Sequence, residues 1–168
     1  MNNGKLDLAV IGAGYWGKNL VRNFAAAKRC NLKYVCDLSD KLLEMHKRNF
    51  PSIEATKDLD AVLADDQLDA VAIATPVVSH FEMAKRALQA GKHGFVQKPL
   101  TLTLEENQLI RNACKKYDEQ VLFVGTQQRS DSKRFLRAVT MVQKGLLGDI
   151  KNVTVGINGG LKGGPFPT

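Results

Sequence analysis

The chain is predicted to be an α/β protein, a doubly wound parallel sheet followed by a short remnant of a second, α+β domain. Three observations predict it. Short β-branched runs alternate with amphipathic stretches from residue 6 to residue 125; the first run opens into a glycine-rich turn; and the texture changes after Gly125. Alternation of this length builds βαβ units, whose right-handed crossovers put helices on both faces of one sheet.

The strands come in order as "LDLAVIG" (6–12), "LKYVCD" (32–37), "DAVAIAT" (69–75), "HGFVQ" (93–97) and "QVLFVG" (120–125). Each is a short, mainly apolar run, as expected of a parallel strand covered on both faces. The first helix sets Trp16, Leu20 and Phe24 on one side, and "SDKLLEMHKR" is a helix of mixed charge. In "VSHFEMAKRALQAG", Phe81, Ala84 and Leu88 recur at helical spacing and Gly91 is placed to cap the end. In "TLEENQLIRNACKKY", Thr103 and Glu106 form a capping box, and Leu109, Ile110, Ala113 and Tyr117 make the inward stripe.

Beyond Gly125, "DSKRFLRAVTMVQKG" is one more helix with Phe135, Val139 and Val142 on one face, and "DIKNVTVGI" one more strand. A lone strand has an unpaired edge, so a second domain is expected to begin here without being finished. The domains are thus read as 1–125 and 126–168, with self-association into a homo-oligomer expected through the exposed C-terminal segment.

Composition narrows the function. The 168 residues carry a formal net charge of +7. Because the cations are spread over several helices beside Asp and Glu, solvated helix faces explain them and no nucleic-acid partner is expected. The longest apolar run, around "DAVAIATP", is too short to cross a bilayer, and the N-terminal residues lead directly into a strand rather than a secretory leader. Cys30, Cys36 and Cys114 have neither disulfide nor zinc spacing. A reduced, cytoplasmic protein without a metal is expected.

The glycine turn is "VIGAGYWGKN", Gly12-x-Gly14-x-x-Gly17. Such a motif is weak alone, but here a strand precedes it, a helix follows it, and Asp37 stands about twenty residues on, at the end of the next strand. Gly12 permits the tight turn, Gly14 lets the backbone approach a pyrophosphate, and Gly17 lets helix and strand pack closely. The helix N-terminus offers N–H groups and partial positive charge to the phosphates. Asp37 can accept hydrogen bonds from the adenosine ribose. A 2′-phosphate would bring a second negative charge against that carboxylate, so NAD is expected in preference to NADP, with Lys41 near enough to soften the preference. Tyr15 is placed to cover the pyrophosphate; Trp16 is a second contact there or part of the core.

Two later segments, "ATPVVSH" (74–80) and "GFVQKPL" (94–100), join "AVIGAGYWGKN" and "VGTQQRSDSKRF" in a pattern that resembles the Gfo/Idh/MocA oxidoreductases. "GYWGKN" is also similar to the branch acting on nucleotide-linked sugars. The resemblance implies a Rossmann NAD(P)-binding fold and hydride transfer between the cofactor and a hydroxyl carbon of a sugar, sugar nucleotide or cyclitol. The family's glutamate–lysine–proline motif falls on Gln97, Lys98 and Pro99. It implies that Lys98 is catalytic, touching both cofactor ribose and reacting hydroxyl, and that Gln97 contacts cofactor without the family's negative charge. At the end of a buried strand such a lysine would be partly desolvated, lowering its hold on its proton; a solvated strand-end lysine is the plainer reading. Lys98–Pro99 is a candidate cis bond. Thr75 and Pro76 match the turn bordering the cofactor. His80 matches a family position for cofactor or substrate, although a histidine opening a helix also serves as a packing or capping residue. Gln127 and Arg129 lie where the chain leaves the first domain, at contact distance from nicotinamide or substrate by the same implication. The family's catalytic histidine matches no position here. Two functions stay open: the cofactor-binding half of a dehydrogenase, with little or no turnover alone, or a non-catalytic NAD(P)-binding sensing or scaffold module.

Overall fold

The computed structural model describes residues 4–126 and 134–154. The chain divides into two compact units, Met1–Thr126 and Gln127–Thr168.

The first unit runs β1 (Leu6–Ile11), α1 (Gly17–Ala26), β2 (Cys30–Cys36), α2 (Asp40–Asn49), β3 (Glu54–Thr56), α3 (Leu59–Ala64) and β4 (Ala70–Ile73). A 3₁₀ turn (Val77–Ser79), α4 (His80–Gln89), β5 (His93–Val96), α5 (Leu104–Lys116) and β6 (Leu122–Val124) complete it. The sheet order is β3-β2-β1-β4-β5-β6, and every ladder is parallel. The chain winds outward from β1 to β3, returns to β4 beside β1, and winds outward again. This is the doubly wound α/β fold, with its topological switch between β1 and β4.

The apolar runs are continuous because alternate residues serve opposite faces. Ala9 and Ile11 of β1 face one way with Val71, Ile73 and Val96, under Ala84, Ala87 and Leu88 of α4 and Ile110 of α5. Leu8 and Val10 face the other way with Ala70 and Ala72, under Leu20 and Val21 of α1 and Leu43 of α2. Each fully buried Val, Leu or Ile among them stabilises the fold by roughly 1.5–3 kcal/mol.

Helix ends follow the local chemistry. Ser39 and Asp58 cap α2 and α3 through their side chains, and Thr103 with Glu106 forms a complete capping box on α5. Gly91, just past α4, takes φ +72°, which a side chain would resist.

Several expectations need correction. The short β3 and α3 were not anticipated; three residues are too few for a periodicity to show. Leu109 does not belong to the inward stripe of α5: it is 55% exposed while Ile110 is 1% exposed. The buried face is Ile110, Ala113, Cys114 and Tyr117. These positions follow i, i+3, i+4 and i+7, and Leu109 falls a step of rotation outside them.

In the second unit, α6 spans Phe135–Gln143. Phe135, Val139 and Val142 on it are exposed. Residues 151–154 carry no regular secondary structure, so the strand expected over 149–157 is not formed there; its remainder lies outside the described residues. Among the described residues no helix is long and apolar enough to cross a membrane.

Candidate functional site

At the carboxyl edge of the sheet the ladder continues one residue past the strands. Asp37 N–H donates to Thr56 O, Gly12 N–H to Cys36 O, Ala74 N–H to Ile11 O, Gln97 N–H to Ile73 O and Gly125 N–H to Val96 O, at 2.8–3.2 Å. This rim therefore aligns Asp37, Gly12, Ala74, Gln97 and Gly125. Four of the regions singled out in the sequence leave the sheet here: the glycine turn, Asp37, the Thr75 turn and the Gln97–Lys98–Pro99 segment.

The three glycines have three different physical reasons. Gly12 has φ +83°, and a Cβ there would come within 2.8 Å of Ala74 C and Thr75 N. A Cβ on Gly17 would lie 1.8 Å from Gly12 O, so the first turn of α1 can press onto β1 only with glycine. A Cβ on Gly14 meets nothing within 4 Å. Space is thus left open in front of Gly14, beside a helix start that no side chain caps and whose first turn holds no acid. A helix start without a side-chain cap beside such a gap suits an anion, with the Lys18 and Asn19 amides already donating to Gly14 O and Trp16 O.

The turn is held from behind. Asp37 Oδ2 accepts from Ala13 N–H at 2.7 Å and Oδ1 from Ser39 N–H at 2.9 Å. His46, only 3% exposed in α2, sets Nε2 at 3.1 Å from Ala13 O. Both backbone polar groups of Ala13, the residue between the first two glycines, are therefore taken by side chains, which orients the peptides that follow. Each Asp37 oxygen keeps a second lone pair for a ligand hydroxyl.

A cleft of about 720 Å³ lies over this edge. That is within the range of small-molecule and cofactor sites. Among its lining residues are Gly12, Gly14, Tyr15, Trp16, Asp37, Thr75 and Pro76, so the structure gathers most of the sequence-derived candidates in one place. Tyr15 is 89% exposed at the mouth, with Lys18 Nζ 5.6 Å from its ring centre. Trp16 is partly buried against the core, and its Nε1 is buried without a partner among the described residues. The Thr75 hydroxyl sits 2.8 Å from Ser79 Oγ and 3.5 Å from Met83 Sδ.

Leu38, Lys57, Val78 and Met83 also line the cleft. Sequence reasoning passed over them. For Leu38 a signal existed: a large apolar residue just after a strand end, outside any helical stripe. Lys57 lies 2.7 Å from Asp40, a pairing that β3 creates and no spacing announces. Cys36, in the cleft wall, has its thiol pushed up to about 11, first by burial and then by the charges of Asp37 and Asp58. It stays protonated at neutral pH.

Gln97 and Lys98 stand apart. They follow β5 on the same rim but are not in the cleft lining. Gln97 is half-buried, with Nε2 toward Gly125. Lys98 is exposed, so the desolvation expected at a strand end is not met; it sits one residue beyond the cover of the ladder. The Lys98–Pro99 bond is cis. His80 is 1% exposed, its ring nitrogens at 2.7 Å from Pro99 O and 2.9 Å from Thr75 O, which leaves the ring no free nitrogen for a ligand. Gly17 packs helix on strand behind the turn. Gln127 and Arg129 lie outside the described residues. No group of three or more metal-ligating side chains occurs among the described residues.

Comparison with known proteins places the fold among oxidoreductases. A family model described as "Oxidoreductase family, NAD-binding Rossmann fold" (GFO_IDH_MocA) matches residues 6–126. An uncharacterized oxidoreductase, YrbE, of Bacillus subtilis is 30% identical over 139 residues, 83% of this chain and 40% of the relative. A scyllo-inositol 2-dehydrogenase (NADP(+)) of the same organism is 31% identical over 112 residues, 67% of this chain and 31% of the relative. The chain thus spans well under half the length of these relatives. Among solved structures, scyllo-inositol dehydrogenase from Lactobacillus casei with bound NAD(H) and scyllo-inositol is similar at TM-score 0.81 and 25% identity, covering 86% of this chain and 43% of that one. Myo-inositol 2-dehydrogenase from Lactobacillus plantarum is similar at TM-score 0.82 and 28% identity, over 87% and 43%.

Proposed function

Since the chain belongs to the Gfo/Idh/MocA oxidoreductase family, of which it carries the NAD-binding Rossmann domain, we propose that it serves hydride transfer between NAD and a hydroxyl carbon of a sugar, sugar nucleotide or cyclitol. The observation that carries the reading is the open space before Gly14 at an uncapped helix start, with Asp37 on the same rim. The named inositol dehydrogenases among the relatives support the substrate class. A similar protein of Shewanella oneidensis is named an alpha-N-acetylgalactosaminidase, so the substrate assignment is what needs testing most.

The residues divide the work as follows. The amides after Ala13 and the start of α1 hold the diphosphate, with Tyr15 as cover and Trp16 beneath. Asp37 takes the adenosine ribose, and its charge against a 2′-phosphate favours NAD over NADP. Thr75 and Pro76 form the opposite wall. When bound, the dinucleotide supplies the hydride acceptor or donor. Lys98 is the catalytic residue, with Nζ holding or moving the proton of the reacting hydroxyl. Gln97 binds beside it through an uncharged amide, and Gln127 completes the cofactor contacts. Residues 126–168 begin the substrate and oligomerisation domain, and the protein works in the cytoplasm.

A second reading, a sensing or scaffold module that binds NAD(P) without chemistry, is favoured by one observation: Lys98 is exposed and outside the cleft lining. Calorimetric titration with NAD, NADH and NADP, followed by turnover assays on inositols and sugars, separates the two. Binding of NAD with slow or no turnover by this chain is expected. Absence of binding to any of the three sinks both.

A further inference from the structure

We propose that His80 is a positioning residue that ties the cofactor wall to the lysine segment and so sets where Lys98 points. The proposal rests on the reading of Lys98 as the catalytic group.

β4 and β5 are joined by a ladder that runs from Ala70↔His93 to Ile73↔Val96 and ends with Gln97 N–H donating to Ile73 O. The pairing of β4 and β5 ends there. Their backbones have little left with which to hold each other, because Pro76 and Pro99 have no N–H. Carbonyls still point inward there and need donors. His80 supplies them from the first position of α4. Its Nδ1 is 2.7 Å from Pro99 O, next to Lys98, and its Nε2 is 2.9 Å from Thr75 O in the cleft wall. Both partners can only accept. A doubly protonated ring donates to both and closes the link, whereas a neutral ring donates to only one of them. At 1% exposure the ring is shielded from bulk solvent.

The consequence is a mechanical link of one side chain. Thr75 and Pro76 line the cleft, whereas Lys98 and Pro99 do not. The imidazole spans the interval between them. A ligand seated against Thr75 then meets a lysine at a fixed distance rather than one on a loose strap.

The test reads Lys98 directly. Lysines of the chain are reductively methylated with ¹³C, and Lys98→Arg assigns the Lys98 signal. NADH is expected to shift that signal in the native chain. Two conservative variants separate the two bonds, because an Asn amide nitrogen falls near the place of Nδ1 and a Gln amide nitrogen near that of Nε2. Both variants are expected to melt cooperatively and to bind NADH within about threefold of native, since the glycine turn and Asp37 are untouched. His80→Asn keeps only the Pro99 link and His80→Gln only the Thr75 link, so each should lose most of the Lys98 shift. If either variant binds NADH and retains the native shift, the positioning role is overturned. Unfolding of both would also overturn it, by making His80 a residue of the core rather than of the site. If NADH binds the native chain by calorimetry but leaves the Lys98 signal unmoved, the reading of Lys98 itself fails.

Discussion

At the scale of single residues, the glycine turn separates residues needed for the fold from those needed for the ligand. Gly17→Ala forces a methyl to within 1.8 Å of Gly12 O, so the helix must move off the strand. It should cost about 3 kcal/mol or more, as overpacking against rigid backbone does, and lower the melting temperature. Gly14→Ala meets nothing within 4 Å; it should melt like the native chain and lose about tenfold or more in NAD affinity by calorimetry, about 1.4 kcal/mol. Equal loss of stability in the two variants would contradict this division. Asp37 has two duties, because the carboxylate that faces the ligand also accepts from Ala13. Asp37→Asn removes the charge that opposes a 2′-phosphate. The NAD-to-NADP affinity ratio should fall by about tenfold, as one lost charge–charge term allows; an unchanged ratio would place discrimination elsewhere, with Lys57 the first alternative. The glycines and Asp37 could be read from spacing because each answers a local steric or charge demand. The links from His46 and His80 could not, since their partners are carbonyls 33 and 19 residues away, and nothing in a carbonyl's sequence marks it as an acceptor.

At the scale of elements, strands were legible wherever both faces are buried. Between its terminal Asp and Thr, "DAVAIAT" is apolar because β4 is central, and the structure trims it to Ala70–Ile73. β3 was missed because it is a three-residue edge strand, Glu54–Thr56, with only half-buried or exposed side chains. The capping box of α5 was readable from Thr103 and Glu106 alone; Thr103→Ala should cost about 1 kcal/mol in thermal unfolding. At the other end of the sheet a charged junction locks β2 to the end of α3. Lys33 Nζ lies 2.6 Å from Asp65 Oδ2, and the Tyr34 hydroxyl donates to the same oxygen at 3.0 Å. The Lys33 bond, foremost, holds the Asp65 carboxyl below its usual value, and Asp65 in turn holds the Lys33 ammonium above its own. A lowered carboxyl stabilises the fold above the ordinary carboxylate range and loses that contribution as pH falls through the lowered value. Native chain should therefore lose melting temperature on acidification below about pH 4 more steeply than Asp65→Asn, which has no such charge to lose. Parallel curves would remove the junction from the account.

At the scale of the whole molecule, the sheet order places the ends of β1 and β4 side by side with their helices on opposite faces, and the cleft follows from that reversal. The sequence announced this much through alternation and one motif. It did not announce that Val78, Ser79 and Met83, from the 3₁₀ turn and α4, would line the cleft. Nor does the β-branched run of the tail form a strand where it is described: residues 151–154 carry no regular secondary structure. The exposed apolar side chains of α6 support self-association, and light scattering at rising concentration should show a mass above that of one chain; a monomer throughout would contradict it. Bound NAD should stabilise the molecule by about 2.7 kcal/mol at a hundredfold excess over its dissociation constant.

The most direct measurement is a crystal structure of the chain grown with saturating NAD. Density is expected to show the diphosphate against the main-chain amides that follow Ala13, with the adenosine ribose on the Asp37 carboxylate. Density for the dinucleotide at another surface, or a cleft closed by its own side chains under those conditions, would contradict the account.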